Sequence, residues 1–329
     1  MSKKIVITDY NYADLDQEKK VFESLDVELC DYQCRTEDDV IAVAKDADAV
    51  IVQFVPMTRR VLSELKNCKA IIRYAVGVDN IDLEAATELG IRVVNVPDYG
   101  IEEVSDHTVL LLLAIARKLC FVNNAVKEGV WDFKITKPIF RLKGKTVGLI
   151  GFGRIPRLVA EKLKGFGFEI LVSDPFVSEE IVKEHNARLA TFDEVMENAD
   201  FICLHVPLSE KTKHMVNANV FEKMKKKPYV INTGRGGLVD ETALLKALEA
   251  GQIQGAALDV SETEPMPKGH PLFGRDDVIL TPHYAWYSED AGLTLQRYAA
   301  EEVARVLTGQ EPKNVVNKEV QQSDSLRSL

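Results

Sequence analysis

The chain is 329 residues long, 46% hydrophobic and 28% charged, with a formal net charge of −10 and an isoelectric point near 5.3. Length calls for about two domains, since single cores stop growing at roughly 250–300 residues, and the composition is that of an ordinary globular protein. The acidic balance excludes nucleic-acid or membrane-surface partners, and the longest apolar run, 109–116, falls far short of the roughly 20 residues that span a bilayer.

The opening Met-Ser-Lys-Lys is not expected to be a signal peptide and leads into an apolar run at 4–8, expected as a strand. Further short apolar runs at 27–30, 49–54, 70–74 and 92–96 alternate with helical patterns at 17–25, 37–45, 58–65 and 82–89. Such alternation implies a parallel sheet covered on both faces. A helix is expected over 102–119, then an arm at 121–141 whose Trp131 and Phe133 would be a liability if left exposed. The rhythm resumes with strands at 146–150, 170–173, 201–204, 229–232, 256–258 and 278–280. It stops near Pro282; a long helix follows over 289–307, Gly309 ends it, and a polar tail follows whose last dozen residues are expected to fray. Cys30, Cys34, Cys68, Cys120 and Cys203 lack Cys-x-x-Cys or zinc spacing and read as reduced thiols of a cytoplasmic protein without a metal centre.

The expected architecture is α/β: two Rossmann-like or flavodoxin-like parallel-sheet lobes with a cleft between them. The simplest division makes one lobe discontinuous, residues 1–99 plus 291–329, and the other continuous, residues 100–290.

One segment carries a specific signal. In Val147-Gly-Leu-Ile-Gly151-Phe-Gly153-Arg154-Ile155, a buried strand runs through a glycine turn into a helix, and Asp174 ends the next strand 23 positions after Gly151. That is the layout of a dinucleotide site, in which a helix N-terminus holds pyrophosphate and an acid takes a ribose hydroxyl. Pro156 stands where a third glycine is usual. In the first helical turn, a proline removes only an N–H that lacks an intrahelical partner. The amides of Arg154 and Ile155 remain for phosphate.

Three more segments follow at strand ends, the edge at which open α/β sheets bind ligands. In Asn232-Thr233-Gly234-Arg235-Gly236-Gly237, a guanidinium sits at a sharp turn, suited to gripping a carboxylate with two parallel hydrogen bonds. Asp259-Val-Ser-Glu-Thr-Glu264-Pro265 supplies an acid, and Thr281-Pro-His283 an imidazole able to act as general acid/base near neutral pH. His205, at another strand end, reads as cofactor-proximal; His107, His185, His214 and His270 have no comparable setting.

Together these segments resemble the D-isomer-specific 2-hydroxyacid dehydrogenase family over nearly the whole chain. Gly77-Val-Asp-Asn-Ile-Asp82, Asn95-Val-Pro97 and His283-Tyr-Ala-Trp286 resemble its C-terminal-binding-protein branch and bacterial relatives. The resemblance implies an NAD-dependent oxidoreductase interconverting a small 2-keto acid and its D-2-hydroxy acid, of glyoxylate, hydroxypyruvate or phosphoglycerate type. It implies that Arg235 binds the carboxylate and that His283, held by Glu264, moves the proton. Val76 and Gly77 amides, Tyr74 and Trp286 would complete the substrate site. Gly151, Gly153, Arg154, Ile155, Asp174, His205, Val206, Thr212, Thr108, Thr233, Gly234 and Asp259 would surround NAD, with Asp174 disfavouring the 2′-phosphate of NADP. The arm at 121–141 would join a homodimer. The alternative reading, of a different class, is an NAD(H)-sensing scaffold that binds partner peptides.

Overall fold

The computed structural model describes residues 2–323 and 325–329. The chain divides into two compact units, one formed by Met1–Gly100 with Tyr287–Leu329, the other by Ile101–Trp286.

In the first unit, β1 (Lys3–Ile7), β2 (Val27–Asp31), β3 (Ala49–Val52), β4 (Ala70–Arg73) and β5 (Arg92–Val94) form an all-parallel sheet in the order β2-β1-β3-β4-β5. Side chains alternate between the faces of a strand, and here both faces are buried. Val6, Val50, Val52, Ile71 and Val93 pack on one side with Val40, Val61, Leu62 and Ala85 of the helices Glu37–Ala44, Arg59–Glu64 and Leu83–Glu88. Ile5, Ile7, Ile51, Ile72 and Val94 pack on the other with Phe22 of Asp16–Phe22 and with Leu295, Ala299, Ala300, Val303 and Val306 of Glu289–Leu307. That last set is one stripe of a helix with 3.6 residues per turn. It is why the C-terminal helix belongs to this sheet.

The tail is not frayed. Val315 bridges Val94 in antiparallel fashion, and Val316 N–H donates to Val93 O at 2.8 Å, so the tail adds to the outer edge of β5. Arg92, 2% exposed, donates through Nε and Nη2 to the two carboxylate oxygens of Glu311 at 3.0 and 2.8 Å. Asn317 accepts from Val93 N–H and donates to Ile91 O and Thr87 Oγ1. Arg327 donates to Leu89 O and Cys68 O. The expectation of fraying rests on the scarcity of apolar residues, but hydrogen bonds hold this segment. Within it, Asp324 lies outside the described residues.

In the second unit, β6 (Thr146–Ile150), β7 (Glu169–Ser173), β8 (Arg188–Leu189), β9 (Phe201–Leu204), β10 (Tyr229–Asn232), β11 (Gly255–Leu258) and β12 (Val278–Leu280) form a second all-parallel sheet. Its order is β12-β11-β10-β9-β6-β7-β8. The order reverses between β6 and β9, the topological switch point at which such sheets bind ligands. β8, two residues long, is too short to read from a sequence. Val147, Leu149, Cys203, Ile231 and Ala257 face one core, Ile150, Ile202, Leu204, Val230 and Leu258 the other.

The helix expected over 102–119 is two helices, Ile101–Ala116 and Leu119–Lys127, bent by 61° where Lys118 takes a left-handed φ of 52°. The arm therefore begins as a helix. Beyond it Trp131, Phe133 and Phe140 are exposed, Trp131 at 89%. Among the described residues no single helix is long and apolar enough to cross a membrane.

Candidate active site

Strand register places the sequence motifs in a row. Ser173 pairs with Ile150, Ile150 with Leu204, Leu204 with Asn232, Asn232 with Leu258 and Leu258 with Leu280. The residues that follow, Asp174, Gly151, His205, Thr233, Asp259 and Thr281, stand along the carboxyl edge of one sheet.

At the switch point, Gly151 has φ +90°, and a Cβ there would lie 2.7 Å from His205 O and 3.0 Å from Val206 Cγ1. Glycine is required by both conformation and contact. At Gly153, by contrast, a Cβ would meet nothing within 4 Å. The space before the helix Arg154–Leu163 is open, and Gly153, its N-cap, offers no side chain to the first amides. Pro156 is buried in the first turn. Asp174 accepts from Phe152 N–H at 2.7 Å and Phe176 N–H at 2.8 Å, which fixes the acid beside the turn. His205 Nε2 is buried without a hydrogen-bond partner, and burial pulls the imidazole down to about 4. An open helix N-terminus, an acid at the neighbouring strand end and an orphaned buried nitrogen fit a dinucleotide at this edge. Thr108, on the helix Ile101–Ala116, meets Thr233, with the two hydroxyls 2.8 Å apart. Thr212 spends its hydroxyl on its own loop, through Pro207 O and Ser209 N–H.

The proton-transfer candidates converge. His283 Nδ1 lies 2.6 Å from Glu264 Oε2, and His283 holds a left-handed φ of 52°, an uncommon conformation for a non-glycine residue. Several contacts enforce it. His283 N–H donates to Asp259 O, and Asp259, 1% exposed, accepts from Thr281 Oγ1 and from the amides of Tyr284 and Ala285. Both oxygens of Asp259 are thereby committed to holding the histidine loop. Trp286 braces it from the other side, donating Nε1–H to His283 O at 3.1 Å. Burial alone would raise the Glu264 carboxyl. The hydrogen bond from His283, the Ser261 amide and the charges of His283 and Arg235 outweigh burial and bring it below the usual carboxylate value.

Arg235 follows a turn built by Asn232, whose Oδ1 accepts from Gly234 N–H and whose Nδ2 donates to Arg235 O. A Cβ on Gly236 would stand 1.9 Å from Ser261 C, so only glycine lets the arginine loop lie against the loop bearing Glu264. The side chain of Asn232 is a working part that only its Asx-Gly spacing signals. His107 is another: buried, it lies 3.1 Å from Thr281 Oγ1 and 3.6 Å from Asp259 Oδ1, with Tyr284 against its ring at 4.8 Å. No local pattern marks it, because its partners are about 150–175 residues away.

Tyr74 does not line a pocket. It is 2% exposed in the core of the first unit, with its hydroxyl donating to buried Glu18 at 2.6 Å and its ring edge-on to Tyr12. Val76, two residues further, is 43% exposed, and Gly77 accepts from Arg73. Among the described residues no group of histidine, cysteine, aspartate and glutamate is arranged to hold a metal.

Residues 109–285 match the D-isomer specific 2-hydroxyacid dehydrogenase, NAD binding domain. The chain belongs to this family. Within the D-isomer-specific 2-hydroxyacid dehydrogenases it is 43% identical to D-3-phosphoglycerate dehydrogenase of Methanocaldococcus jannaschii over 284 residues, 86% of this chain and 54% of that relative. It is 38% identical to glyoxylate reductase of Korarchaeum cryptofilum, covering 85% of this chain and 86% of the relative. The chain spans about half the length of the phosphoglycerate dehydrogenases it matches. Among solved structures it resembles PH0520 protein from Pyrococcus horikoshii OT3, with a TM-score of 0.84 and 32% identity over 98% of this chain and 97% of that one. It also resembles a glyoxylate reductase from Paecilomyes thermophila, with a TM-score of 0.87 and 27% identity over 96% and 98%.

Proposed function

We propose that this chain is an NAD-dependent oxidoreductase that interconverts a small 2-keto acid and its D-2-hydroxy acid. The observation that carries the reading is the 2.6 Å contact between Glu264 and a histidine held in left-handed backbone, with the charge of Arg235 acting on the same carboxylate. Glu264 accepts from Nδ1–H of His283, which fixes the ring and leaves Nε2 as the position that passes a proton to or from the substrate oxygen. The guanidinium of Arg235 binds the substrate carboxylate, a planar fork meeting a planar anion. NAD(H), when bound, takes up or supplies the hydride. The amides of Arg154 and Ile155 would hold its pyrophosphate, Asp174 its ribose, and Thr108, Thr233 and Gly234 the nicotinamide end. The assembled proton-transfer pair favours catalysis over the peptide-binding scaffold.

Glyoxylate, hydroxypyruvate and phosphohydroxypyruvate are the substrate types, supported by the names of the relatives. A cytoplasmic location is supported by five free cysteines, three of them buried. A homodimer formed through residues 121–141 is supported by the exposed Trp131, Phe133 and Phe140; size measurement in solution checks it. The deciding experiment is NADH oxidation, followed at its absorbance band, with these three keto acids. Turnover of at least one is expected, and no oxidation with any of them rejects the assignment.

A further inference from the structure

Beside the strand-end loops, the second unit carries five polar side chains that the proposed chemistry does not use, namely Glu241, Ser261, Glu262, His214 and His270. They belong to one construction. Glu241 opens the helix Glu241–Glu249, whose capping is already supplied by Asp240, accepting from Ala243 N–H. The Glu241 carboxylate is instead turned onto the neighbouring loop. Its Oε1 accepts both Ser261 Oγ–H at 2.7 Å and Glu262 N–H at 2.8 Å. Glu262 reciprocates, Oε1 accepting Glu241 N–H at 2.8 Å. The outer oxygens face imidazoles: Glu241 Oε2 lies 3.3 Å from His270 Nε2, and Glu262 Oε2 3.0 Å from His214 Nε2. The Glu241 side chain is only 13% exposed.

Beyond Asp259, whose N–H still reaches Asn232 O of the neighbouring strand, the loop 260–265 contains no helix or strand, so no ladder satisfies its amides. Carboxylates take them instead: Glu241 holds Glu262 N–H, and Glu264 Oε1 holds Ser261 N–H at 3.0 Å. Ser261 is thus gripped at its hydroxyl by Glu241 and at its amide by the glutamate that faces His283. Its carbonyl carbon is also what excludes a Cβ at Gly236, next to Arg235. We propose that Glu241 and Glu262 form a reciprocal clasp that positions Glu264, through Ser261, for its contact with His283. Glu241 and Glu262 are positioning residues, and the inference rests on His283 being the acid/base.

Two variants test it. Glu241→Ala opens the clasp; Glu241→Gln keeps an oxygen able to accept the same N–H and O–H. In Glu241→Ala, kcat falls about tenfold or more, as expected for a slightly misplaced catalytic pair, while KM for NADH stays at the wild-type value. The Nδ1–H proton of His283, read by NMR of labelled histidine and assigned with His283→Gln, moves upfield and exchanges faster with water as its 2.6 Å contact with Glu264 loosens. Glu241→Gln restores both. A wild-type Nδ1–H resonance of His283 in Glu241→Ala overturns the proposal, as does an equal loss in both variants, which would trace the effect to charge alone. Should Glu241→Ala fail to fold by circular dichroism, Ser261→Ala removes one donor and no charge, and must move the same resonance by a smaller amount. Inactivity of the wild type on every keto acid would reject the functional reading. The Nδ1–H resonance of His283 would still report whether the clasp holds Glu264.

Discussion

In the first unit the polar side chains at the carboxyl edge of the sheet are turned inward, whereas in the second they are presented. Asp9 takes the amides of Gln53, Phe54 and Val55, and Tyr74 spends its hydroxyl on Glu18, which Gln296 also satisfies. Across the same edge of the second sheet, Asp259, Asn232 and Trp286 hold backbone so that His283, 42% exposed at its side chain, and Glu264 stay accessible. Both sheets are parallel, βα-built and buried on two faces. The difference lies in what each polar group is bonded to, and it teaches that position at a strand end is insufficient evidence of a site: the partners decide.

Three experiments would break or sharpen that contrast. His283→Ala should lower kcat about 100- to 10,000-fold in steady-state NADH oxidation, with a far smaller effect on thermal melting because the side chain is partly exposed. A variant with full activity would remove His283 from the mechanism.

Acidification should separate the units by sign. Burial holds His205 at about 4, below its ordinary 6.5, so the unfolded chain binds the extra proton between these values and stability is lost as pH falls through that window. The loss integrates to roughly 3 kcal/mol. Glu18 behaves oppositely. Burial raises it despite the hydrogen bonds from Tyr74 and Gln296, so its effect on stability becomes unfavourable as pH rises above the ordinary carboxylate value of 4.5. Hydrogen exchange at pH 7 and pH 4.5 should show protection falling in the second unit, and His205→Leu should flatten that response.

The smallest effect tests the correction at Tyr74. Tyr74→Phe removes one buried hydrogen bond and should cost about 1 kcal/mol in denaturant unfolding, with kcat and KM for the keto acid unchanged. A raised KM would put the ring back in the substrate pocket.

Much of this is legible in the residues. Apolar runs of four or five with turns between them mark buried parallel strands, and the register that aligns Asp174, Gly151, Thr233, Asp259 and Thr281 follows from those runs ending at one edge. Tyr74 departs from its expected place although the information is present: it follows Ile72 by two, so the alternation of side chains sends it to the same helix-covered face. His107 is invisible, because what gives it a role is a carboxylate and a hydroxyl brought close by packing. The clasp of Glu241 and Glu262 is equally hidden, since an acid at the first helical position has a sufficient local reason to be there. Sequence patterns report apolar burial and backbone demands well, and polar networks only where they recur at fixed spacing.

The segment after the last helix has a further consequence. By lying along β5 it closes what would otherwise be an open row of peptide groups, and by bringing Glu311 it neutralises a guanidinium sunk in the interior. A protein trimmed back to residue 310 would keep its α-helices and its reaction centre, yet carry a sticky border and a stranded cation. Such a shortened form should associate with itself in solution, and a fusion partner is better attached at the opposite terminus.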